Sequence, residues 1–210
     1  MKTEPLTPPR AKGKAKAPPI RLVIENLEPK FSKWLMLEYT HAVELWGDGL
    51  TFANVRDKRL QRELQGLPGV HVSGRSITEL DLGKALALDP MAKRALTTDD
   101  CRRSDTLVVG GILGGEVMRG RTQKLITRRA KIPGRSLGPT QLPIDVAVFT
   151  ARAIALGASL EELEFTKGLT VRYGGGMEVE LPYGYPVVDE KVIMTPGLLP
   201  YLAKEWAEEE

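Results

Sequence analysis

The stretch Val108-Val109-Gly110-Gly111-Ile112-Leu113-Gly114-Gly115 (VVGGILGG) places four glycines around an apolar pair, directly after a run with the composition of a buried strand. Open α/β sheets bind ligands at the carboxyl ends of their strands, so a glycine turn at such an end is a candidate ligand loop. The stretch lacks both the Gly-Lys-Ser/Thr of a P-loop and the Gly-x-Gly-x-x-Gly spacing of a dinucleotide site. Two interpretations stay open: a cofactor or anion loop, and a structural turn.

Strands and helices alternate on both sides of this stretch. Five apolar runs predict buried strands, at 20–26, 50–55, 69–73, 84–89 and 106–111. Amphipathic or wholly apolar helical spacing predicts helices at 31–46, 57–67, 121–130 and 145–157. Such alternation is typical of an α/β fold whose mostly parallel sheet is covered by helices on both faces. Residues 169–188 predict a β-hairpin that turns at 174–176, and a final helix is predicted after Pro196.

The net charge of +3 is concentrated at one end of the chain. Residues 1–19 carry five basic groups and one acidic group, so the remainder is close to neutral. Because this segment is rich in Pro, Lys and Ala and poor in bulky apolar groups, we expect a disordered basic arm, followed by a single domain over 20–210. Such an arm either contacts RNA phosphates nonspecifically or only keeps the protein soluble.

Several classes of site lack their sequence signal. The single cysteine, Cys101, excludes an internal disulfide and a multi-cysteine zinc site. His41 and His71 have no carboxylate or second ligand at a suitable spacing, and no Gly-x-Ser-x-Gly elbow occurs, so we expect no metal and no serine hydrolase chemistry. No apolar run reaches the roughly eighteen residues of a membrane helix. We therefore expect a cytoplasmic protein with no membrane partner.

Five motifs in a fixed order resemble one known family. They are IENLEPKFSKWLMLEYTHA (24–42), LDP (88–90), the glycine stretch, R-x-R-T (119–122) and SLGPTQLPIDVAV (136–148). Together they resemble the SPOUT-class, or trefoil-knot, methyltransferases, in the family of a fungal ribosomal-protein arginine methyltransferase and of archaeal proteins described as RNA methyltransferases. The resemblance covers residue 22 to about residue 197. It implies a deep trefoil knot in the C-terminal part of the α/β domain, followed by the predicted hairpin and helix.

The resemblance implies that S-adenosyl-L-methionine binds bent against the knot. Its contacts would come from three loops, formed by Leu88, Asp89, Pro90; Gly110, Gly111, Ile112, Leu113, Gly114; and Leu137, Gly138, Pro139, Gln141, Leu142. Glycines suit this task because backbone amides read the edges of an adenine closely only where no Cβ intervenes. Leucine and isoleucine side chains in these loops would supply the apolar walls.

An arginine acceptor needs a carboxylate, because a guanidinium with a pKa above about 12 must be oriented and must lose a proton. We expect this catalytic role from Glu116, Glu25 or Asp145, and substrate binding from Arg119, Arg121 and Glu38. For Asp145 a structural role stays open, because a carboxylate within a buried helix needs a partner. The fungal relative has an acidic residue directly after GGILG, whereas here Gly115 precedes Glu116.

The acceptor is the remaining question. Seven basic residues and no acidic one lie in 119–135: Arg119, Arg121, Lys124, Arg128, Arg129, Lys131 and Arg135. Such a segment is either a phosphate-binding surface or a solvated helix face. Three hypotheses follow: arginine methylation of a ribosomal protein, favoured by the resemblance; methylation of RNA; and ribosome binding without catalysis. We expect a monomer, because the C-terminal hairpin and helix would cover the surface through which most trefoil-knot enzymes dimerise.

Overall fold

One parallel sheet forms the centre of the protein. The computed structural model describes residues 20–114, 119–172 and 178–207. Its sheet has six strands in the order β3-β2-β1-β5-β4-β6, and every pair is parallel. The strands are β1 (Arg21–Asn26), β2 (Leu50–Ala53), β3 (Val70–Val72), β4 (Ala85–Leu88), β5 (Thr106–Gly111) and β6 (Gly134–Arg135). The five predicted strands are thus confirmed, whereas β6 is too short to have a pattern of its own.

Helices cover both faces of the sheet, as predicted. One face packs against α1 (Lys33–Trp46), α2 (Lys58–Gln65), α3 (Thr98–Arg103) and α5 (Ile144–Ala155). The other face packs against a 3₁₀ turn, Ile77–Glu79, and a segment in which a π-helical turn, Gln123–Thr127, continues into α4 (Arg128–Ala130). The ends of α1 follow from its sequence, because Ser32 Oγ accepts from the Leu35 amide at 3.1 Å and Gly47 ends the helix at a φ of 85°.

Helix α5 is the most deeply buried helix of this set. Nine of its 12 residues are buried, which confirms the prediction from its apolar composition. It packs mainly on α1 and also contacts α3 and β5. The first turn of α5 therefore lies against the sheet and the first helix, directly after the 137–143 loop.

The chain reaches α5 through a segment that pairs with a loop from earlier in the sequence. Strand β6 lies beside β4, on the side away from β5. Immediately after it, the Ser136 amide donates to the Arg94 carbonyl at 2.8 Å, and the Leu96 amide donates to the Ser136 carbonyl at 2.9 Å. The 89–97 loop and the 134–136 segment are therefore held together. The trefoil knot stays a prediction. The pairing of these two segments is compatible with it.

The C-terminal part adds antiparallel strands and a last helix. Strands β7 (Glu164–Phe165), β10 (Pro186–Val188) and β11 (Lys191–Val192) form one small sheet, and β8 (Leu169–Arg172) pairs with β9 (Glu178–Leu181). Helix α6 (Leu198–Ala207) follows. The predicted hairpin and final helix are confirmed. The hairpin turn at 174–176 and the predicted basic arm, 1–19, lie outside the described residues.

Candidate active site

A cleft opens at the carboxyl ends of β4 and β5. Its empty volume is about 810 Å³, which includes space open to solvent. Four chain segments line it, namely 88–91, 109–112, 119–122 and 137–147. Three of them contain the loops that the sequence predicts for the cofactor, and the remaining one is the R-x-R-T motif.

Nine of the predicted cofactor residues line this cleft: Leu88, Asp89, Pro90, Gly110, Ile112, Leu137, Gly138, Gln141 and Leu142. Four others do not line it: Gly111, Leu113, Gly114 and Pro139. Sequence reasoning missed seven lining residues: Met91, Val109, Gly120, Thr122, Thr140, Ile144 and Ala147. Most of these residues lie within the sequence motifs of the family, so the extent of those motifs was enough to predict them. Met91, which is half exposed, had no such signal.

The glycines of VVGGILGG lie against different neighbouring groups, which leave different amounts of space for a Cβ. A Cβ on Gly111 would overlap the Tyr39 hydroxyl and lie 3.0 Å from the Glu25 carbonyl. A Cβ on Gly114 would overlap the Tyr183 ring and the Gln141 side-chain amide. Internal packing, not a ligand, therefore requires glycine at these two positions. A Cβ on Gly110 would come only to 3.3 Å from the side-chain ends of its nearest neighbours, so this glycine, which lines the cleft, is less constrained.

The loop before α5 has a tight turn at Gly138. Its φ is +109°, a value that side chains rarely allow, and a Cβ there would meet nothing within 4 Å. Ser136 Oγ donates to the Gly138 carbonyl at 3.0 Å and accepts from its amide at 3.1 Å. Here glycine is required by the backbone conformation, and the turn presents bare backbone to the cleft.

The C-terminal strands support this cleft from outside. The Gly184 amide donates to the Gln141 carbonyl at 2.9 Å. The Tyr183 ring packs against Gly114, so the 183–184 segment contacts both the glycine loop and the 137–142 loop. The two loops are thereby held by a part of the chain that follows them by more than forty residues.

Asp89 lines the cleft, but protein donors occupy its carboxylate. Oδ1 accepts from the Met91 amide at 2.9 Å, and Oδ2 accepts from Thr127 Oγ1 at 2.7 Å. The side chain is almost fully buried. It therefore fixes the LDP loop to the helical segment that carries the basic residues.

Glu25 lies under the glycine loop and is also fully engaged. Its two oxygens accept from Ser76 Oγ at 2.6 Å and from the Ile77 amide at 3.0 Å. Burial raises the pKa of this carboxyl, and these two hydrogen bonds partly oppose the rise. Glu25 does not line the cleft.

Glu38 and Asp145 form a buried acidic pair below the start of α5. Glu38 accepts from Trp34 Nε1 at 2.6 Å and from the Ile144 amide at 2.8 Å. Burial, and then the charge of Asp145, raise the pKa of Glu38 to about 8. Neither carboxylate lines the cleft, although Ile144 does.

Asp145 joins three elements in the core. Oδ2 lies 2.7 Å from His41 Nδ1 and accepts from Thr195 Oγ1 at 2.7 Å, while Oδ1 accepts from the Val146 amide at 2.9 Å. The side chain has no exposed surface. His41, for which the sequence offered no nearby carboxylate, thus has one 104 residues away. Of the two roles left open for Asp145, this arrangement favours the structural one.

The remaining acidic candidate, Glu116, and the preceding Gly115 lie outside the described residues. The two arginines of R-x-R-T, Arg119 and Arg121, line the cleft and are exposed. Arg121 Nη2 donates to the Leu113 carbonyl at 2.5 Å, and its Nη1 lies 4.0 Å from Glu28 Oε1. In the described part of the chain, Arg119 has no hydrogen-bond or ion-pair partner. The cleft mouth therefore carries one engaged and one unpaired guanidinium.

The basic segment beyond the cleft is largely unpaired. Lys124, Arg129 and Lys131 are exposed and have no ion-pair partner among the described residues. Arg135 differs, because its guanidinium donates twice to the Asp100 carboxylate, at 2.8 Å each, and is half-buried. The exposed positive surface therefore ends at Lys131. The sequence predicts a basic segment that extends to residue 135, and the structure shortens it.

The described ranges contain neither a metal cluster nor a membrane span. Within 20–114, 119–172 and 178–207, no three His, Cys, Asp or Glu side chains group so that they could hold a metal ion. In the same ranges, no helix is both long enough and apolar enough to cross a membrane.

Comparison with known proteins connects this geometry to one family. Residues 21–209 match the family model described as "Protein arginine N-methyltransferase SFM1-like". The protein arginine N-methyltransferase SFM1 of Saccharomyces cerevisiae is 26% identical over 206 residues, which cover 90% of this chain and 97% of the yeast protein.

Solved structures agree with this match. The yeast arginine methyltransferase SFM1 complexed with SAM has a TM-score of 0.80 at 27% identity, covering 93% of this chain and 94% of that one. The complex with SAH has a TM-score of 0.78 at 26% identity, covering 87% and 94%. A dual-specific Trm10 from Thermococcus kodakaraensis, 16% identical, shares the fold with a TM-score of 0.56 over 68% of this chain and 96% of that one. The SPOUT-class resemblance is confirmed, and the chain belongs to the SFM1-like family of protein arginine N-methyltransferases.

Proposed function

We propose that this chain transfers a methyl group from S-adenosyl-L-methionine to an arginine of a ribosomal protein. The observation that carries the proposal is the cleft itself, where three motif loops from separate parts of the sequence meet at the carboxyl ends of β4 and β5. Structures of the yeast relative SFM1 have been solved in complexes with SAM, SAH and MTA. Nine of the residues predicted for the cofactor already face one space.

The residues present suit this cofactor. Adenosine needs a narrow apolar slot with backbone donors and acceptors, and the cleft offers Leu88, Ile112 and Leu142 together with the bare Gly138 turn. The methionine carboxylate of the cofactor needs a cationic partner, and Arg119 is unpaired at the mouth. When bound, the cofactor supplies an activated methyl group on a sulfonium.

The protein's part in such a reaction is mainly positioning. Methyl transfer is an in-line displacement, so the loops must hold the two reactants in line and keep water out. Glu25, Glu38 and Asp145 have both oxygens bonded to protein donors, so we propose that they support the loops instead of contacting the acceptor. Glu116, the first acidic residue after the glycine loop, keeps the proposed catalytic role.

A ribosomal target accounts for the unpaired cations beside the cleft. We define the basic rim as the exposed residues Arg119, Lys124, Arg128, Arg129 and Lys131. Ribosomal proteins are surrounded by RNA phosphate, and a set of exposed cations of this kind binds phosphate with a strong dependence on salt. The basic arm, 1–19, would add nonspecific contact of the same sign. We further propose that the enzyme acts in the cytoplasm as a monomer.

Methylation of RNA is the second candidate function, and the same basic rim favours it. The experiment that separates the two is incubation of the purified protein with ribosomal fractions and S-adenosylmethionine labelled on the methyl group. For the first proposal we expect label in a protein band that survives nuclease and is lost on protease treatment. Label that nuclease removes would contradict it and support the RNA activity.

Binding of the cofactor is tested separately. We expect calorimetry with S-adenosylhomocysteine to show a single site, and Gly138→Val to abolish it, because valine is strained at a φ of +109° and its side chain would occupy space in the cleft. Gly157→Val is a matched control, since Gly157 has a similar φ of 114° and lies after α5, away from the cleft. No binding to the unchanged protein would favour the third hypothesis, ribosome binding without catalysis.

A further inference from the structure

Glu28 follows β1 and its side chain contacts the glycine loop, although Glu28 is not among the residues that line the cleft. Its backbone is held firmly: the Leu27 amide donates to the Gly111 carbonyl at 3.0 Å, and Asn26 Nδ2 donates to the Glu28 carbonyl at 3.1 Å. Asn26 is itself fixed by the buried Tyr39 hydroxyl, which donates to its side chain at 2.9 Å. Glu28 therefore starts from a rigid position at the carboxyl end of the sheet.

The side chain of Glu28 holds one peptide group of the glycine loop from one side. Oε1 accepts from the Leu113 amide at 2.9 Å. From the other side, Arg121 Nη2 donates to the Leu113 carbonyl at 2.5 Å. The two consecutive peptide groups that flank the Leu113 Cα are thus held by a carboxylate and a guanidinium, and Arg121 lines the cleft.

Glu28 differs from the other carboxylates around the loop in its free oxygen. Glu25 and Glu38 are 1% and 3% exposed, and protein donors occupy all four of their oxygens. The Glu28 side chain is 22% exposed, and no group in the described ranges donates to Oε2. A guanidinium already stands next to this carboxylate, because Arg121 Nη1 lies 4.0 Å from Oε1. The surroundings of Glu28 therefore tolerate a guanidinium.

We propose that Glu28 orients the acceptor guanidinium through its Oε2 while Oε1 anchors the glycine loop, an inference that rests on the arginine methyltransferase function proposed above. A carboxylate positions a guanidinium strongly, because the charge-assisted hydrogen bonds are directional. The same side chain then sets the distance between the acceptor and the loop that lines the cofactor cleft. Lysine would be held less well, because an ammonium lacks the planar fork of donors.

Two substitutions separate the two tasks of Glu28. Glu28→Gln keeps an oxygen for the Leu113 amide but replaces Oε2 with an NH₂ group, which cannot accept from a guanidinium. Glu28→Ala removes both oxygens. Glu63→Gln is the matched control, because Glu63 is an exposed glutamate on α2 with no part in the cleft.

The probe is N-acetyl-L-arginine methylamide, titrated into the cofactor-free protein while the Leu113 amide resonance is followed by NMR. We expect a saturable shift in the wild type and in Glu63→Gln, and affinity about tenfold weaker or worse in Glu28→Gln. The Leu113 resonance of Glu28→Gln without probe should stay near that of the wild type, whereas Glu28→Ala should move it. The lysine analogue of the probe should bind the wild type less tightly than the arginine probe does.

Equal affinity of the arginine probe for the wild type and Glu28→Gln would overturn the proposal, and so would a wild type that does not respond to the probe. The failure of the proposed function has a different signature. It would appear as no affinity for S-adenosylhomocysteine in calorimetry, a measurement that does not involve the acceptor.

Discussion

The polar residues beneath the cleft differ sharply from those at its mouth. Beneath it, Glu25, Glu38 and Asp145 are almost fully buried, and protein groups bond to every carboxylate oxygen. Arg119 at the mouth, and Lys124 beyond it, are exposed and unpaired within the described residues. A buried charged group persists only where bonds replace its water, whereas a solvated one stays available to a ligand. The lower set should therefore determine stability, and the basic rim should determine binding.

The largest effect on stability is expected from Asp145→Ala. It leaves His41, Thr195 and the Val146 amide without their acceptor in the core, which should cost about 3–5 kcal/mol in the free energy of unfolding. Urea denaturation measures this loss. Asp99→Ala, at an exposed ion pair with Arg103, is the control and should have a far smaller effect. Equal midpoints for Asp145→Ala and the wild type would contradict the assignment of Asp145 to the framework.

Substitutions at two adjacent glycines should distinguish an effect on protein stability from an effect on cofactor binding. Gly111→Ala forces a Cβ into the buried Tyr39 hydroxyl and the Glu25 backbone, so we expect a loss of about 2–3 kcal/mol. Gly110→Ala only presses on side-chain ends at 3.3 Å and should cost less than about 1 kcal/mol, while weakening cofactor binding in the cleft. Denaturation and calorimetry on both variants test the pair. If Gly110→Ala proved the less stable of the two, the packing account of the loop would be wrong.

The raised pKa of Glu38 predicts a pH dependence of stability. The folded protein keeps this proton up to about pH 8, whereas the unfolded chain releases it near 4.5. The stability that the proton contributes is therefore complete below about pH 4.5 and is lost progressively as the pH rises to about 8. Between pH 6 and pH 9 the wild type should lose roughly 3 kcal/mol more than Glu38→Gln, which has no proton to release. Parallel stability curves for the two proteins would refute the assignment.

The smallest change in stability is expected at the basic rim. Arg119→Ala should alter the free energy of unfolding by less than about 0.5 kcal/mol, because the side chain is exposed and has no described partner. Its methylation of ribosomal fractions should nevertheless fall several-fold at low salt, and the remaining methylation should depend less steeply on salt than that of the wild type, because one phosphate contact is lost. Unchanged methylation over a salt series would contradict both roles proposed for Arg119, at the cofactor carboxylate and in the basic rim.

The sequence predicted the framework well because local pattern determines it. Apolar runs marked five of the six sheet strands, and spacing marked the helices, since both signals repeat within a few residues. Contacts between residues far apart in the sequence have no such local pattern and could not be predicted. The partner of His41 is 104 residues away, and Gly111 and Gly114 are glycines because of Tyr39 and Tyr183. Nothing local distinguishes such a glycine from one that contacts a ligand, so the sequence predicts the same cofactor role for Gly110, Gly111 and Gly114.

The candidate site shows the same limit. The motifs located the cleft, but they did not distinguish a carboxylate with both oxygens bonded from one with an oxygen free. Glu28 lies in a polar stretch of the first motif and has no distinguishing pattern, whereas Glu25 is conspicuous as a charged residue within an apolar strand. Its charge is in fact satisfied by Ser76 and Ile77, fifty residues further along the chain.

The contact of residues 183–184 with both the glycine loop and the 137–142 loop has a consequence for biosynthesis. A chain emerges from the ribosome beginning with its N-terminal part, and its domains generally fold in that order. The strands of the parallel sheet are complete by Arg135, yet Gln141 lacks its Gly184 partner, and Gly114 its Tyr183 neighbour, until some fifty residues later. The cleft of a nascent chain therefore cannot be complete until the residues up to Gly184 have emerged from the ribosome.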